Sequence, residues 1–581
     1  MKKLLVYLRD YKKECIFAPL FKLLEASFEL IVPLVMAAII DHGIAVSDRP
    51  YIFKMGGVLV LLALIGLTCS ITAQYFAAKA AVGFATKLRH SLFSHIGTLS
   101  FSEMDTIGSS TLITRITSDI NQVQSGVNMV LRLFLRSPFI VFGAMIMAFT
   151  VNVKAALVFV VAIPLLSVVV FSVMLASIPL FKKVQSGLDR VLGHTRENLE
   201  GARVIRAFNK EADEAKEFNA SNDFLTNMQM VVGRISTLMN PLTYIIINCA
   251  ILAVIWIGGK EVFGGIITQG EVVALVNYMS QILVELVKLA NLIILINKAI
   301  ACGNRIEEVL ETKSTIENNP NADTKRAVGD DAVTFSHVSM SYASTSEEAL
   351  TDIDFTAKRG ETIGIIGGTG SGKSSVVNLI PRFYDVSKGS VSIDGKDVRD
   401  YDLTELRDKI GVVMQKAVLF QGTIAENLRW GKPDATDEEL WKAIEVAQAT
   451  DVVEGKEGKL DYMIEQGGRN LSGGQKQRLT IARAVVKNPD ILILDDSASA
   501  LDFATDAKLR RAIREMAEDT TVFVVSQRTS SIQYADQIIV MDDGKVAGIG
   551  THESLLAENE VYQEIYYSQY EKKGEGENHE K

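Results

Sequence analysis

Cysteine is scarce in this chain, and the few cysteines lie far apart. The 581 residues include only four, Cys15, Cys69, Cys249 and Cys302, each in or beside an apolar run. Their separations match neither a metal-binding spacing nor the pattern of a disulfide-stapled domain. The sequence therefore predicts no disulfide framework and no cysteine-bound metal, and it favours small buried residues at these positions.

The chain also lacks an excess of positive charge. Its 69 acidic residues outnumber its 60 lysines and arginines, which gives a net charge of −9. Basic residues form a block only at the N-terminus, between Lys2 and Lys13. Because a general nucleic-acid binder needs a positive surface, the composition argues against nucleic acid as a partner.

A cleavable leader is missing as well. The first apolar run is long, contains Lys22, Glu25 and Glu29, and is not followed by a small-residue cleavage site. We therefore expect this run to be retained in the mature protein.

Long apolar runs, by contrast, crowd the first half of a chain that is 48% hydrophobic. Six runs are each long enough to cross the hydrocarbon core of a bilayer, which is about 30 Å thick. The basic start places the N-terminus in the cytosol by the positive-inside rule, and six crossings return the chain there. The sequence predicts a multi-pass protein of the cytoplasmic membrane with both termini cytosolic. The predicted spans are residues 16–40, 53–79, 130–151, 155–180, 238–258 and 272–296.

Two long polar links, residues 80–129 and 181–237, separate some of these spans. Both are highly charged and have a helical pattern, so we expect the spans to continue into the cytosol as helices. Their tips are predicted near residues 111–119 and 198–208.

Residues 367–374 fit the phosphate-loop pattern G-x-x-x-x-G-K-[ST]. Glycines let the backbone curl so that several N–H groups point at phosphate oxygens. Lys373 can reach the terminal phosphates, and the Ser374 hydroxyl can ligate Mg²⁺. An apolar strand precedes the loop and a helix follows it, which is the context that the motif requires. A glycine turn without function is the disfavoured alternative, and the sequence predicts binding of a nucleoside triphosphate.

Two further segments of the second half point to the same chemistry. Residues 491–496 form an apolar strand that ends in Asp495, a carboxylate that can hold Mg²⁺ through water. Residues 471–475 open a predicted helix with Ser472 as its N-cap. A second phosphate-binding helix start fits poorly into a pocket that already has one. It therefore predicts a nucleotide held against another copy of the domain.

In this order, the motifs resemble those of ATP-binding cassette (ABC) transporters, and six spans before one cassette resemble a half-transporter of the exporter type. The resemblance implies an all-α six-span membrane domain followed by an α/β nucleotide-binding domain. It also implies a dimer that encloses two ATP molecules, each between one chain's phosphate loop and the other chain's signature stretch. The residues that carry it are 367–374, Gln415, 471–475, Asp495, 499–502 and Gln527.

The resemblance assigns individual roles. Tyr342 corresponds to the aromatic residue that stacks on adenine, Gln415 to the glutamine that senses Mg²⁺, and Asp502 to the end of the loop that faces the partner's site. Segments 111–119 and 198–204 resemble coupling helices. The implied nucleotide-binding residues are Tyr342, Gly367, Thr369, Gly370, Ser371, Gly372, Lys373, Ser374, Ser375 and Gln415. Ser374, Gln415 and Asp495 would hold Mg²⁺, and the signature residues Leu471, Ser472, Gly473, Gly474 and Gln475 would act on the partner's site.

Two positions depart from the family pattern. Asp496 stands where the family has the glutamate that polarises the attacking water, and Gln527 stands where it has histidine. Aspartate is one methylene shorter, and a misplacement of about 1 Å can cost about 100-fold in rate. Glutamine cannot carry a positive charge, so it stabilises developing phosphate charge less well. This combination resembles the subunit with the impaired site in heterodimeric bacterial multidrug exporters, whose partner carries Glu and His. Neutral drift in a homodimer is the alternative.

Polar residues in the spans suggest a substrate route. Asn277, Gln281, Glu285, Lys288 and Asn291 recur at helical spacing, and Glu29 lies deep in the first span. Intramembrane ionisable groups usually face a cavity, which here would suit cationic amphiphiles. Plain ion pairs, such as Lys22 with Glu25, are the alternative. The substrate-cavity candidates are Glu29, Asn277, Gln281, Glu285 and Lys288.

The sequence thus predicts a membrane domain over 1–300, a linker over 301–331, a nucleotide-binding domain over 332–570 and a disordered tail over 571–581. The expected function is ATP-driven export of amphiphilic solutes, whether drug, lipid or peptide, by one half of a heterodimer. The chain would hydrolyse ATP weakly at its own site and would complete the partner's site. A slow homodimeric exporter and a non-transporting, ATP-gated regulator are the alternatives.

Overall fold

A computed structural model describes residues 1, 3–318, 330–342, 347–497, 500–516 and 520–570. The predicted tail 571–581, much of the predicted linker and Ser499 lie outside these residues. The chain divides into two compact units. The first comprises Met1–Gly97 and Ser110–Thr312, and the second comprises Thr98–Ser109 with the chain from Lys313 onward.

The first unit is helical. Within the described residues, six helical segments are long and apolar enough to cross a membrane, and each contains one of the six predicted spans. Because about 20 consecutive apolar residues favour a bilayer over water, the sequence alone located these segments. They are Lys3–Ile44, Arg49–Ile96, Ser109–Val151, Val153–Glu200, Glu211–Phe263 and Gln269–Glu311.

Several of these segments extend well beyond a bilayer. Arg49–Ile96 and Val153–Glu200 are unbroken helices of 48 residues each, about 72 Å long at 1.5 Å per residue. The last helix continues to Glu311, past the predicted boundary at residue 300. Helix bounds in this unit are Lys3–Tyr11 (3-10), Lys12–Ala38, Ile39–Ile44 (π), Arg49–Ile96, Ser109–Thr114, Arg115–Asp119 (π), Ile120–Leu133, Arg136–Val151, Val153–Glu200, Ala202–Ala207, Glu211–Thr237, Met239–Phe263 and Gln269–Glu311.

The described residues of the second unit form three sheets. The largest has six strands in the order β12-β11-β3-β10-β9-β6, the next has the order β2-β1-β4-β5, and β7 pairs with β8 in a two-stranded sheet. The strands are β1 Asp331–Ser341, β2 Glu348–Lys358, β3 Thr362–Gly367, β4 Lys388–Ile393, β5 Lys396–Asp397, β6 Ile410–Val413, β7 Gly422–Thr423, β8 Met463–Ile464, β9 Ile491–Asp495, β10 Thr521–Val525, β11 Gln537–Asp542 and β12 Lys545–Gly550.

Strand order in the largest sheet gathers the nucleotide motifs. β10 runs parallel to β3 on one side and to β9 on the other, with Val525 opposite both Ile365 and Asp495. Successive residues of these strands face two separate apolar clusters, for example Ile493 on one side and Leu494 on the other, as the period of two in a strand requires. The phosphate loop, Asp495 and Gln527 therefore leave the sheet at one edge.

The helices of this unit flank the sheets. The longest of them in the described residues are Gly473–Val485 and Phe503–Met516. The remaining α-helices are Phe101–Ile107, Lys373–Leu379, Leu403–Asp408, Ile424–Arg429, Asp437–Val446, Thr450–Glu454, Thr529–Ile532, His552–Glu558 and Glu560–Tyr567, with 3-10 turns at Val398–Asp400, Lys459–Asp461 and Gln466–Gly468.

The helix Phe101–Ile107 belongs to the second unit although the chain reaches it through the first. The Phe101 ring centroid lies 4.8 Å from that of Phe383, and the Tyr384 hydroxyl donates to the Asp105 carboxylate at 2.6 Å. Residues 110–119 pack with the first unit instead. The π-helical turn Arg115–Asp119 continues directly into the next helix of the first unit. The segment that packs with the nucleotide unit is therefore Phe101–Ile107, which precedes the predicted tip at 111–119.

Candidate nucleotide site and membrane cavity

The phosphate loop joins β3 to the helix Lys373–Leu379, as its motif predicts. Gly370 and Gly372 have φ values of +86° and +93°, in the left-handed region that favours glycine. A Cβ atom at Gly372 would also lie 2.7 Å from the Leu350 side chain. The tight curl of the loop therefore depends on glycine.

Lys373 lies across this loop. Its ammonium donates to the carbonyl oxygens of Gly367 at 3.0 Å and Gly368 at 2.6 Å, and to the Ser371 hydroxyl at 3.3 Å. Burial lowers the pKa of Lys373, although the nearby Asp496 and Asp495 oppose that shift. The loop thus presents a buried, pre-positioned cation where phosphate charge would lie.

A pair of oxygen ligands lies next to the loop. The Ser374 hydroxyl donates to Asp495 Oδ1 at 3.0 Å. Burial raises the pKa of Asp495, an effect that Asp496 adds to and the Ser374 hydrogen bond opposes. Gln415 lines the same cavity. Hydroxyl, carboxylate and amide oxygens suit Mg²⁺, which keeps water and phosphate oxygens as its other ligands, so these three residues fit the predicted metal site.

The two residues that depart from the family pattern face the same cavity. Asp496 has a φ of +45°, and its N–H donates to the Val525 carbonyl at 3.0 Å, which fixes it at the end of the sheet. Gln415 Nε2 lies 3.5 Å from Asp496 Oδ2. Gln527 also lines the cavity. The fold therefore brings Asp496 and Gln527 together with the phosphate loop.

The cavity itself has a volume of about 380 Å³. At one end the Tyr342 hydroxyl lies 2.8 Å from the Ser375 hydroxyl, and the Tyr342 ring stands edge-on to Tyr384 at 5.2 Å. Of the predicted nucleotide residues, Gly367 and Ser371 lie behind the cavity wall, where both accept hydrogen bonds from Lys373. The lining residues are Tyr342, Ala349, Thr369, Gly370, Gly372, Lys373, Ser374, Ser375, Gln415, Asp495, Asp496, Val525, Ser526 and Gln527.

The signature stretch lies outside that lining. Ser472 caps the helix Gly473–Val485 through a reciprocal pair of hydrogen bonds with Gln475, of 3.0 and 3.3 Å. Leu471 is buried and anchors the turn. A Cβ atom at Gly473 would meet nothing within 4 Å, whereas one at Gly474 would lie 3.0 Å from the Ala500 carbonyl. The helix start is thus rigid, and its first glycine faces open space.

Asp502 caps the helix that follows it. Its carboxylate accepts from the Thr505 N–H at 2.9 Å and from the Thr505 hydroxyl at 2.8 Å. These hydrogen bonds lower the pKa of Asp502. The loop end is therefore held by a local side-chain cap.

Gln569 is a residue that the sequence analysis missed. Its amide oxygen accepts from the Thr529 N–H at 2.9 Å and from the Thr529 hydroxyl at 3.1 Å. Its amide nitrogen donates to the Gln527 carbonyl at 2.7 Å. The C-terminal segment thereby fixes the loop that carries Gln527. No motif signals this contact, because the partners lie far apart along the chain and are joined only by the fold.

In the membrane unit, all five substrate-cavity candidates line one cavity of about 430 Å³. Apolar side chains form much of the rest of its wall. Lys22 and Glu25 form the ion pair that was the alternative interpretation, at 2.6 Å, and neither lines this cavity. The lining residues are Glu29, Val32, Pro33, Met36, Asn277, Ser280, Gln281, Val284, Glu285 and Lys288.

Arg136, which the sequence analysis did not single out, organises the charges beside this cavity. Its guanidinium donates to Glu285 Oε1 and to Glu29 Oε2, each at 2.7 Å. The Ser137 hydroxyl and the Lys288 ammonium also donate to Glu285, each at 2.8 Å. Arginines near the start of a predicted span gave no sequence signal of this bridge.

Apolar spanning helices together with a phosphate-loop α/β unit define a class of protein, the ATP-driven membrane transporters. A family model described as the ABC transporter transmembrane region matches residues 15–286, and one described as ABC transporter matches residues 350–499. The uncharacterised ABC transporter ATP-binding protein Rv1273c of Mycobacterium tuberculosis is 38% identical over 97% of both chains. The chain belongs to the ABC transporter family and is an ATP-hydrolysing, multi-pass membrane transporter.

Two other comparisons refine this result. A putative multidrug export ATP-binding/permease protein of Bacillus subtilis, YgaD, is 33% identical over 97% of this chain and 98% of its own. The solved structure of a bacterial Atm1-family ABC exporter with ATP bound superposes with a TM-score of 0.78 at 23% identity. The match covers 96% of this chain and 99% of that one. The fold is therefore that of an ABC exporter.

Proposed function

We propose that this chain is one half of a heterodimeric exporter that moves amphiphilic solutes out of the cytosol. The observation that carries the proposal is an asymmetry in the second unit. Asp496 and Gln527, which weaken hydrolysis, line the chain's own cavity. The intact signature start at Ser472 and Gly473 does not line that cavity, and Gly473 has open space around it. Such a chain binds ATP at its own site and supplies working parts to a stronger site on its partner.

The residues of the cavity divide into those that bind and those that act on the transition state. ATP supplies the phosphoanhydride bond whose hydrolysis resets the transporter. Lys373 and the loop N–H groups neutralise phosphate charge, and Ser374, Asp495 and Gln415 would hold Mg²⁺. Asp496 would orient the attacking water from a shorter side chain, and Gln527 would stabilise developing charge without a positive charge of its own. Binding is therefore intact while turnover is slow.

The membrane cavity supports an amphiphilic substrate. Carboxylate, ammonium and amide groups share its wall with valine, proline and methionine, and YgaD, a relative, is named as a putative multidrug exporter. A drug, a lipid or a peptide with one polar end suits such a lining. The N- and C-termini would lie in the cytosol, where ATP is available.

The test compares the chain expressed alone with the chain co-expressed with a second half-transporter from its own genome that carries Glu and His at these two places. We expect the tagged chain to co-purify with that partner. ATP-dependent uptake of an amphiphilic dye should appear in inside-out vesicles that contain both. Full transport by the chain alone would instead establish the homodimer. Pairing without movement of any solute would establish the regulator.

A further inference from the structure

We infer that Arg136 occupies the Glu29 carboxylate from outside the membrane cavity, and that a cationic amphiphile binds in the cavity by displacing Arg136 from Glu29. This inference rests on the proposed transport function and names the chemistry by which the cavity recognises its substrate. Arg136 bridges the carboxylates of Glu285 and Glu29, and these two carboxylates differ in burial and in the number of their hydrogen-bond donors.

Glu285 is held firmly. Among the described residues it accepts hydrogen bonds from three groups, Arg136 Nη1, the Ser137 hydroxyl and the Lys288 ammonium. Only 3% of its side chain is exposed. Releasing a charge that is buried this deeply would leave it unpaired in a low-dielectric interior, which is costly. Glu285 is therefore a fixed structural anion.

Glu29 is held loosely by comparison. In the described part of the chain it forms one ion pair, with Arg136 Nη2 at 2.7 Å, and 40% of its side chain is exposed. It also lines the cavity, whereas Arg136 does not. A ligand cation in the cavity can therefore reach the Glu29 carboxylate.

The exchange leaves both carboxylates paired with a cation. After Arg136 releases Glu29, its guanidinium keeps Glu285, and Glu29 gains the ligand cation. The group then contains three cations, Arg136, Lys288 and the ligand, but two carboxylates. Lys288 can carry the additional positive charge, because its side chain is 44% exposed and can remain hydrated. An anion at the same place would meet Glu29 and would have to compete with Glu285 for Arg136, so the arrangement selects cations.

The remaining lining describes the rest of the ligand. Val32, Pro33, Met36 and Val284 offer an apolar surface. The amide oxygen of Gln281 is buried and has no hydrogen-bond partner among the described residues. Buried acceptors are normally paired, so a ligand N–H would satisfy it. The ligand class is an amphiphile with one cationic head and an apolar body.

Displacement would also act on the helices. Glu29 belongs to Lys12–Ala38, Arg136 to Arg136–Val151 and Glu285 to Gln269–Glu311. Loss of the Glu29–Arg136 bond would remove one ion pair between the first and second of these helices, which also pack through apolar residues such as Leu30 and Ile140. The Arg136–Glu285 ion pair between the second and third helices would remain. A ligand that favours the arrangement without the first ion pair shifts the population toward it.

The experiment measures binding of two probes to the purified pair in lipid nanodiscs by fluorescence. One probe is a lipophilic dye with a primary ammonium head, and the other is its uncharged isostere, in which a methyl group replaces the ammonium. We expect Glu29→Gln to weaken binding of the cationic dye at least about 10-fold, because it removes the charge partner, and to leave the isostere unchanged. Arg136→Gln frees Glu29 and should tighten binding of the cationic dye several-fold.

Glu25→Gln is the matched control, because Glu25 lies on the same helix but pairs with Lys22 outside the cavity; both probes should bind it as they bind the unaltered protein. Arg136→Lys, which keeps the charge, covers the case in which Arg136→Gln fails to assemble, and it should bind the cationic dye more tightly if displacement limits binding. If Glu29→Gln binds the cationic dye normally, or weakens both probes equally, the inference is overturned. If neither probe binds the unaltered pair, it is the proposed amphiphile transport that fails.

Discussion

In the proposed function, Asp496 affects the rate of hydrolysis and not the binding of ATP. Its carboxylate lines the nucleotide cavity beside Gln527, while the phosphate contacts depend on other residues. We expect the double change Asp496→Glu with Gln527→His to raise hydrolysis at this site by about 10-fold or more, since each residue acts on the transition state. Single-turnover hydrolysis, with nucleotide assigned to each chain by photo-crosslinking, would measure it. Unchanged hydrolysis would show that these residues do not limit the site.

Gly473 lies outside the chain's own nucleotide cavity, at a position where a side chain can be added without disturbing the fold. Because a Cβ atom there meets open space, Gly473→Glu should leave the thermal unfolding of the chain unchanged. Its bulk and charge should nevertheless reduce ATPase activity of the proposed heterodimer about 100-fold, by repelling the nucleotide bound at the partner's phosphate loop. Asp496→Asn is the comparison and should retain much of the activity. Equal losses from both variants would contradict the assignment of a strong and a weak site.

Gln569 acts through hydrogen bonds rather than through the nucleotide. Loss of its three contacts to Thr529 and Gln527, each worth about 1 kcal/mol, should loosen that loop. We expect Gln569→Ala to speed amide hydrogen exchange at Thr529 about 10-fold or more, and Gln569→Glu, which keeps only the acceptor half, to lie between. Gln563→Ala is the control, because the Gln563 side chain donates to the carbonyl oxygens of Leu556 and Ala557 on the same C-terminal segment. Equal exchange in all three variants would refute the role of Gln569.

Asp495 shows a conflict between stability and metal binding. Burial raises the pKa of Asp495 in the folded chain. Its contribution to folding stability is therefore complete below the ordinary pKa of aspartate and is lost as the pH rises through the raised pKa. At neutral pH the buried, ionised carboxylate lowers the free energy of unfolding. Asp495→Asn should therefore raise the unfolding temperature of the nucleotide-free chain at neutral pH. The same change should abolish the additional stabilisation by ATP with Mg²⁺. Differential scanning fluorimetry at pH 5 and pH 8 would check both, and the gain should be smaller at pH 5.

At the scale of elements, the sequence predicts features that depend on local signals but not those that depend on long-range contacts. The six spans follow from apolar length alone, and the phosphate loop follows from a contiguous motif between a strand and a helix. The placement of Asp495 opposite Val525 depends on β10 lying between β3 and β9, and no residue in those strands specifies that order. The apolar strand that ends in Asp495 predicted a magnesium ligand, but the strand order that brings this carboxylate beside the phosphate loop is a property of the fold.

The sequence predicted neither the packing of the helix Phe101–Ile107 nor the Arg136 bridge, and the reason is similar. Phe101 contacts Phe383, and Arg136 contacts Glu285, so in each pair the partners are far apart along the chain. Each residue is ordinary in its own neighbourhood, where an aromatic residue begins a short helix and an arginine begins a span. Sequence periodicity reports which face is apolar, but it does not report which partner covers that face.

At the scale of the whole molecule, the nucleotide unit is discontinuous in sequence. A chain that begins at residue 313 lacks Phe101 and Asp105, and would expose the faces of Phe383 and Tyr384 that they cover. We expect this truncated chain to unfold at a temperature at least a few degrees lower than one that carries residues 98–109 fused through a flexible linker. The control is the same fusion with Phe101→Ala and Asp105→Ala, which should restore little. Equal stability of all three would mean that the helix adds nothing to the unit.

The discontinuity also sets an order of events during synthesis. Residues 98–109 leave the ribosome long before Phe383, and at about 5–20 residues per second they wait roughly 15–60 s for the partners they pack against. Throughout that interval the later spans are entering the membrane, and the apolar face of Phe101 has nothing of its own unit to cover it. The first segment of the ATP-binding unit, residues 98–109, is therefore synthesised early, but this unit cannot finish folding until the membrane unit has been synthesised.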